Sequence, residues 1–127
     1  MRRLVLAAAL LAFAACESGG DPINPGTDAV SGTYSLAQAR RVDGSAEPFP
    51  IGRGTLTLRD GSWKEVAYND SYTPALALAD SGSYTLTSNA TGIRFVSVAH
   101  GREQSGTVNG STIVVPGWAV EYTWRRN

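Results

Sequence analysis

The sequence predicts an all-β domain, an eight-stranded antiparallel up-and-down barrel, and three observations support this. Short runs rich in Thr, Val, Tyr, Ile and Trp recur from Val30 onward, with apolar and polar residues alternating. Gly, Asp, Asn and Ser separate the runs at short spacing, which is typical of antiparallel hairpins. No stretch after residue 30 has extended helical periodicity. Eight strands are enough to close a barrel, and a two-sheet β-sandwich is the alternative.

Two residue pairs mark the tightest turns between the predicted strands. Asp60-Gly61 and Asn109-Gly110 both favour two-residue hairpin turns, because these residues tolerate positive φ. Ser35–Arg41 and Pro74–Ala79 are the two places where a turn of helix is the alternative. The predicted strands are Val30–Gln38, Gly54–Arg59, Ser62–Asn69, Ser81–Ser88, Gly92–Ala99, Gln104–Val108, Ser111–Val115 and Trp118–Arg125.

Alternation assigns an inward face to most of these strands. Tyr34 and Leu36 share a face in the first strand, and Leu56 and Leu58 do so in the second. In the third strand the inward face stays open, since Trp63, Glu65 and Ala67 oppose Lys64, Val66 and Tyr68. In the last strand one face carries the apolar set Trp118, Val120, Tyr122 and Trp124.

The N-terminus has the pattern of a signal peptide. Arg2 and Arg3 precede twelve consecutive apolar residues, Leu4–Ala15. As a helix, such a stretch rises about 18 Å, well short of the ~30 Å hydrocarbon core of a membrane. Residues 1–15 are therefore predicted to be a signal peptide and not a transmembrane span.

The residues that follow resemble the lipobox of bacterial lipoproteins. Phe13-Ala14-Ala15-Cys16 places the only cysteine of the chain directly after two small residues. The resemblance implies that Cys16 is lipidated, for example with palmitate, and becomes the mature N-terminus. Glu17 at the next position favours the outer membrane of a bacterial envelope. Simple secretion with a free Cys16 thiol, or an uncleaved anchor, are the alternatives.

The next residues are predicted to be a flexible tether. Residues 16–29 are rich in Gly, Pro, Asp and Ser, with Ile23 as the one large apolar side chain. They hold too little apolar surface to fold alone. The predicted organisation is thus a signal peptide (1–15), a tether (16–29) and one β-domain (30–127).

Composition argues against several classes of function. Eleven Lys+Arg balance eleven Asp+Glu, so the chain as a whole is not an electrostatic nucleic-acid binder. One histidine and one cysteine are too few for the usual structural metal sites, and no phosphate-binding Gly-rich loop opens a helix. We therefore expect no metal, no cofactor and no nucleic-acid partner.

Candidate catalytic groups are few. His100 lies in a polar segment that reads as a loop between strands, and the sequence has no Gly-x-Ser-x-Gly nucleophile motif. A pair of catalytic carboxylates would need strand positions that face one lumen, for which Glu65 and Glu121 are the candidates. We therefore expect that the protein is not an enzyme.

The β-rich part of the chain resembles the small lipocalin-like domains of bacterial lipoproteins. The resemblance rests on Gly32-Thr33-Tyr34-Ser35-Leu36, on Gly54-Thr55-Leu56-Thr57-Leu58 and on Gly82-Ser83-Tyr84, followed by Gly106-Thr107-Val108 and Ser111-Thr112-Ile113. It implies a closed barrel in which an arginine near the end of the chain, Arg125 or Arg126, covers the ring of Tyr34.

Two functions from different classes follow. The first is a lipid-anchored module that binds a small apolar ligand in the lumen or mouth of the barrel. The second is a structural or protein-contact module of the envelope with a solid core. Inward aromatic residues fit both readings, because rings fill a core as well as they line a cup. These candidate lumen residues are Tyr34, Tyr84, Phe95, Tyr122 and Trp124, with Trp63 or Tyr68 as further members.

Overall fold

The protein folds as a closed barrel of eight antiparallel strands in sequence order. The structure is a computed structural model that describes residues 29–46, 49–117 and 119–127. The predicted signal peptide, Cys16, the tether up to residue 28 and Trp118 lie outside the described residues. The strands are β1 (Gly32–Arg41), β2 (Ile51–Arg59), β3 (Ser62–Asn69), β4 (Leu76–Leu86), β5 (Gly92–Ser97), β6 (Glu103–Asn109), β7 (Thr112–Pro116) and β8 (Val120–Arg126).

Pairing of the first and last strands closes the barrel and confirms the predicted fold class over the sandwich. β1 pairs with β8 in a register that sets Tyr34 opposite Arg126 and Leu36 opposite Trp124. Closure makes the strands of Tyr34 and Trp124 neighbours, as the predicted up-and-down barrel requires. The two rings are not directly opposite, however, because the register offsets them by two residues.

The Asp60-Gly61 turn is present as predicted, whereas the second turn is shifted by one residue to Gly110-Ser111, because Asn109 still pairs with Thr112 at the end of β6. Asp60 and Gly61 have φ values of 51° and 76°, which is the left-handed pair that a type I′ hairpin requires. Gly110, between β6 and β7, has a φ of 57°. These turns, together with residues 87–91, lie at one end of the barrel, which we call the closed end. The opposite end of the barrel, where β1, β3, β5 and β7 end, is the open end.

β4 is longer than predicted. It begins at Leu76 and not at Ser81, so Leu76–Ala79 is strand and the alternative of a helical turn there is wrong. Ser35–Arg41 is likewise strand throughout. The Leu-Ala alternation in β4 does not separate strand from helix by itself, and pairing with β3 along Leu76–Ser83 decides the matter.

Two bulges shift the inward face along the first two strands. One lies between Leu36 and Gln38 in β1, and the other between Ile51 and Arg53 in β2. A bulge adds one residue and reverses the alternation beyond it. As a result Ile51 is buried although it differs in parity from Leu56 and Leu58.

Every strand except β6 contributes at least one fully buried apolar side chain to the interior. β6 contributes Val108, which is partly buried. In β3 the face that the sequence left open is resolved: Trp63 and Ala67 are buried, and Tyr68 lies outside beneath Arg53. The buried core comprises Val30, Tyr34, Leu36, Ile51, Leu56, Leu58, Trp63, Ala67, Tyr84, Ile93, Phe95, Ile113, Val115 and Trp124.

Candidate functional site

A small cavity remains inside the barrel, towards the open end. Its volume is about 40 Å³, and aromatic side chains from three strands, β3, β5 and β8, form much of its wall. One water molecule needs about 10–15 Å³, so this inner cavity has room for a few waters and not for a ligand of ordinary size. Its lining residues are Leu56, Trp63, Glu65, Phe95, Gln104, Val115, Tyr122 and Trp124.

The rings around the inner cavity pack on one another. Trp63 and Phe95 meet edge to face with their centroids 5.6 Å apart, and Tyr122 stacks on Trp124 at 6.4 Å. Phe49 adds an edge contact to Tyr122 at 6.2 Å. These are preferred aromatic geometries, so the rings form a stable wall whose positions are set by mutual packing.

A larger concavity, the mouth, opens at the open end of the barrel. Its volume is about 520 Å³, within the ~300–1,000 Å³ range of small-molecule sites. Glu65, Gln104 and Tyr122 line both the mouth and the inner cavity, so the two adjoin. The remaining lining residues are Ile51, Ala67, Ala77, Leu78, Ala79, Asp80, His100 and Arg102.

Glu65 and Asp80 form a pair of acidic side chains on the inner wall. They lie directly opposite each other in the β3–β4 register, and both line the mouth. Burial raises the pKa of Glu65 from 4.5 to about 7, and the negative charge of Asp80 adds to the shift. Near neutral pH this carboxyl group therefore exchanges between a neutral donor form and an anion.

The two acids differ in their hydrogen bonding. Asp80 accepts hydrogen bonds from the Ser97 hydroxyl and from the Ser81 backbone N–H, both at 2.8 Å. Within the described part of the chain Glu65 has no hydrogen-bond or ion-pair partner. Its carboxyl group is therefore available to a polar group of a bound molecule.

Tyr122 is the third polar group at the boundary of the two cavities. It is half-buried, and burial raises the pKa of its hydroxyl, with a smaller contribution from the charge of Glu65. The hydroxyl therefore stays protonated across the physiological range and can donate or accept a hydrogen bond.

The predicted lumen residues divide into two groups. Phe95, Tyr122 and Trp124 line the inner cavity. Tyr34 and Tyr84 are buried in the core and do not line the inner cavity, and Tyr34 donates a hydrogen bond to the Val30 carbonyl at 2.7 Å. Three of the five predicted positions therefore line the inner cavity, and the other two lie in the core.

Three further residues at the site were open or unassigned from the sequence. Trp63, which was a possible member, does line the inner cavity, and its indole N–H donates to the Val96 carbonyl at 3.2 Å. Glu65 faces inward, but the other candidate carboxylate, Glu121, lies outside and pairs with Arg40 at 2.7 Å. The acid that faces Glu65 is Asp80 instead. The sequence prediction missed Asp80 because it began the fourth strand at Ser81.

Glycine opposite a tryptophan is the signal in the sequence that points to the inward Trp63. Gly82 lies opposite Trp63, and a Cβ at Gly82 would come within 2.9 Å of the indole nitrogen. The missing side chain leaves room for the ring to lie across the neighbouring strand and reach β5.

His100 and Arg102 reach the mouth from the β5–β6 loop, which agrees with the predicted loop position of His100. Among residues 29–46, 49–117 and 119–127, no three His, Cys, Asp or Glu side chains are close enough to hold a metal ion. The mouth thus combines apolar wall, two carboxyl groups, one guanidinium and neutral hydrogen-bonding groups, an arrangement suited to binding.

Within the described ranges, no helix has the length and apolar character needed to cross a membrane. Comparison of the chain with protein families, curated proteins and solved structures found no match.

Proposed function

We propose that the protein is a lipid-anchored envelope lipoprotein whose barrel binds a small, mainly apolar ligand at its mouth. The observation that carries the proposal is the mouth itself, which has about 520 Å³ of space beside apolar side chains and a few convergent polar groups. The inner cavity, at about 40 Å³, is too small for the ligand body. The ligand therefore lies in the mouth, above the aromatic wall.

The polar groups define one end of the ligand. Glu65, Gln104 and Tyr122 line the boundary between mouth and inner cavity. A hydroxyl, amide or similar group of the ligand would bond there, and its apolar part would lie against Ile51 and Ala67. An unsatisfied carboxyl at the base of an apolar site favours ligands with one hydrogen-bonding end over pure hydrocarbons.

The anchor is supported by the sequence alone. Phe13-Ala14-Ala15-Cys16 follows an apolar stretch of signal-peptide length. Replacement of Cys16 by Ser should leave the precursor unprocessed or release the protein from the membrane, as measured by intact mass and membrane fractionation. Normal cleavage and membrane association of Cys16→Ser would contradict the lipid anchor.

Native mass spectrometry of the full chain purified from its own cells tests the ligand. We expect a non-covalent small molecule bound to the protein. Gln104→Trp, which places bulk at the junction of mouth and inner cavity, should remove this mass. The matched control is Ser105→Trp, one residue along β6, because Ser105 is exposed, lies opposite Arg94 and does not line the mouth.

The second candidate, a protein-contact module with a solid core, makes the opposite prediction. Absence of any bound molecule from the unsubstituted protein, or equal retention by both tryptophan variants, would favour it. Exposed Leu76 and Leu78 at the open end are the observation on its side, since large apolar patches mark contact surfaces.

A further inference from the structure

One segment of β4 has an unpaired edge. β4 pairs with β3 along Leu76–Ser83 but with β5 only along Gly82–Leu86. β5 ends at Ser97, so in the described part of the chain Leu76–Asp80 has a neighbouring strand on one side only. We call this segment the β4 edge.

The backbone groups on the β4 edge can be assigned from the hydrogen bonds around it. The Ser81 carbonyl accepts from the Val98 N–H at 2.9 Å, on the β5 side, while the Tyr84 N–H donates to Gly61 at 2.8 Å, on the β3 side. In a strand the two backbone groups of a residue point to one side, and the side alternates. The N–H and C=O groups of Ala77 and Ala79 therefore face outward from the unpaired edge.

The edge has few of the features that usually prevent strand addition, and Asp80 is its one inward-facing charge. Leu76–Asp80 contains no Lys or Pro, and its register with β3 is continuous, without a bulge. Exposed apolar side chains accompany it: Leu76 and Leu78 on the edge are 45% and 41% exposed. Tyr72 precedes it at one end and Val98 follows at the other, at 57% and 81% exposure.

We propose that the β4 edge pairs antiparallel with the β4 edge of a second copy of this chain, about a two-fold axis at Leu78. In this register Ala77 lies opposite Ala79 of the second copy, and each pair exchanges two N–H···O bonds, four in all. The two Leu78 side chains meet at a position between the hydrogen-bonded pairs, where side chains are closest.

The charge distribution of the edge fits a second copy. Asp80 is its only charged residue, and the two-fold register sets Asp80 opposite Leu76 of the other copy, so that no like charges face each other. The two-fold axis also exchanges the ends of the edge, which brings Tyr72 towards Val98 of the second copy. In a two-fold contact the same surface of both copies meets, and here each end of the β4 edge meets the opposite end of the other copy's β4 edge.

The pairing is closed, and it is small. The two-fold contact uses the β4 edge of both copies, so the β4–β4 pairing ends at two copies. A ladder of five residues is less than a standard protein interface, so the dimer is weak and depends on concentration. Lipid anchoring of two copies in one membrane would raise their effective concentration.

Sedimentation equilibrium of the full chain in detergent provides the first test. We expect a reversible monomer–dimer equilibrium for the unsubstituted protein. Ala79→Pro removes an outward N–H donor from each copy without removing a hydrogen bond to β3. Two lost hydrogen bonds per dimer should weaken association by about tenfold or more. A monomer at all concentrations, or equal association of Ala79→Pro, would overturn the proposal.

Disulfide trapping provides a second, independent test in the native membrane. Leu78→Cys should give a covalent homodimer on oxidation, because facing residues at this kind of position are close enough for a disulfide. The matched control is Val42→Cys, at 42% exposure against 41% for Leu78. The unsubstituted protein, whose only cysteine is Cys16, gives the background amount of covalent dimer. A trapped dimer that is equal in Val42→Cys, or persists when Ala79→Pro is added, overturns the proposal, and so does capture of a different protein.

Discussion

Glu65 shows how a single residue sets the chemistry of the mouth. It is an acid at the base of an apolar and aromatic site, opposite a second acid, Asp80, and without an ion-pair partner among the described residues. Its environment disfavours the charged form, which is why the pKa rises to about 7. Ionisation of Glu65 therefore lowers the stability of the folded state, as it does for many acids with raised pKa values in clefts.

The first prediction concerns the pH dependence of stability. Between the pKa of 4.5 in the unfolded chain and about 7 in the folded protein, the folded state holds a proton that the unfolded state has lost. The free energy of unfolding should therefore fall as pH rises through this window, by at most about 3 kcal/mol, and change little above it. Glu65→Gln should remove this slope in denaturant melts between pH 4 and 8.

Glu121→Gln is the matched control for that measurement. Glu121 is also a strand glutamate, but it lies outside the barrel in an ion pair with Arg40. Its replacement should leave the slope between pH 4.5 and 7 unchanged. An identical slope in Glu65→Gln and the unsubstituted protein would show that Glu65 ionises normally.

At the scale of elements, the pairing of β3 with β4 organises the open half of the barrel. Its register sets Trp63 across Gly82, Glu65 across Asp80 and Ala67 across Leu78. The first pair builds the aromatic wall, the second supplies the acids and the third forms the rim of the mouth. A shift of one residue in either strand would turn that strand's side chains outward, because strand side chains alternate between faces.

The second prediction tests the close packing of this pair. A Cβ at Gly82 would lie 1.7 Å from the Val96 carbonyl oxygen and 2.9 Å from the Trp63 indole nitrogen. Gly82→Ala should therefore lower the free energy of unfolding by about 2 kcal/mol or more, since backbone or ring must move. Gly52→Ala is the control, because no heavy atom lies within 4 Å of a Cβ there. Equal stability of both variants in denaturant melts would contradict the packing described.

At the scale of the whole molecule, the contact of β1 with β8 closes the barrel, and the chain end seals one side of it. The Tyr34 hydroxyl donates to the Val30 carbonyl and accepts from Arg126 at 3.0 Å. The Arg126 guanidinium also lies 5.4 Å from the Tyr34 ring centroid and donates to the Ala29 carbonyl at 2.7 Å. Arg126 is thus the residue that covers the first-strand ring, one of the two that the sequence argument offered.

The third prediction uses this cluster to measure closure. Tyr34→Phe should cost about 1–3 kcal/mol, because it removes a buried hydroxyl with several partners. Combined with Arg126→Met it should be non-additive by at least about 0.5 kcal/mol. Arg125→Met is the control, since Arg125 is exposed and lies opposite Ser35 on the outer face. Additive effects of Tyr34→Phe and Arg126→Met in denaturant melts would mean that the two residues do not interact.

The fourth prediction concerns the start of the folded domain. Val30 is 2% exposed in the core, and its carbonyl is bonded to Tyr34. A fragment of residues 29–127 should fold with a cooperative melt and a β-type circular dichroism spectrum. A fragment of residues 31–127 should be less stable by about 2–4 kcal/mol, from lost apolar burial and lost hydrogen bonds. Equal melting of both fragments would place the domain boundary later in the chain.

Local patterns in the sequence were sufficient for the class of fold and most of its elements. Strict alternation in β2, the Asp60-Gly61 and Asn109-Gly110 turns and the short connections predict an antiparallel meander of eight strands. The inward faces of β1, β5 and β8 follow from the same alternation, and with them the ring positions Tyr34, Phe95, Tyr122 and Trp124. These features depend on residues that are neighbours in sequence, so they can be read without the tertiary structure.

The candidate site depended on contacts between distant residues. The face of β3, the early start of β4 and the β1–β8 register are decided by strand pairing, which alternation within one strand does not encode. For that reason Asp80 was missed as the neighbour of Glu65, and Tyr34 and Tyr84 were grouped with the rings that line the inner cavity. The sequence by itself determined an eight-stranded β-fold with inward rings. Only the tertiary structure decided which rings fill the core and which line the inner cavity beside the mouth, because the packing of side chains from eight strands in one lumen depends on how they meet.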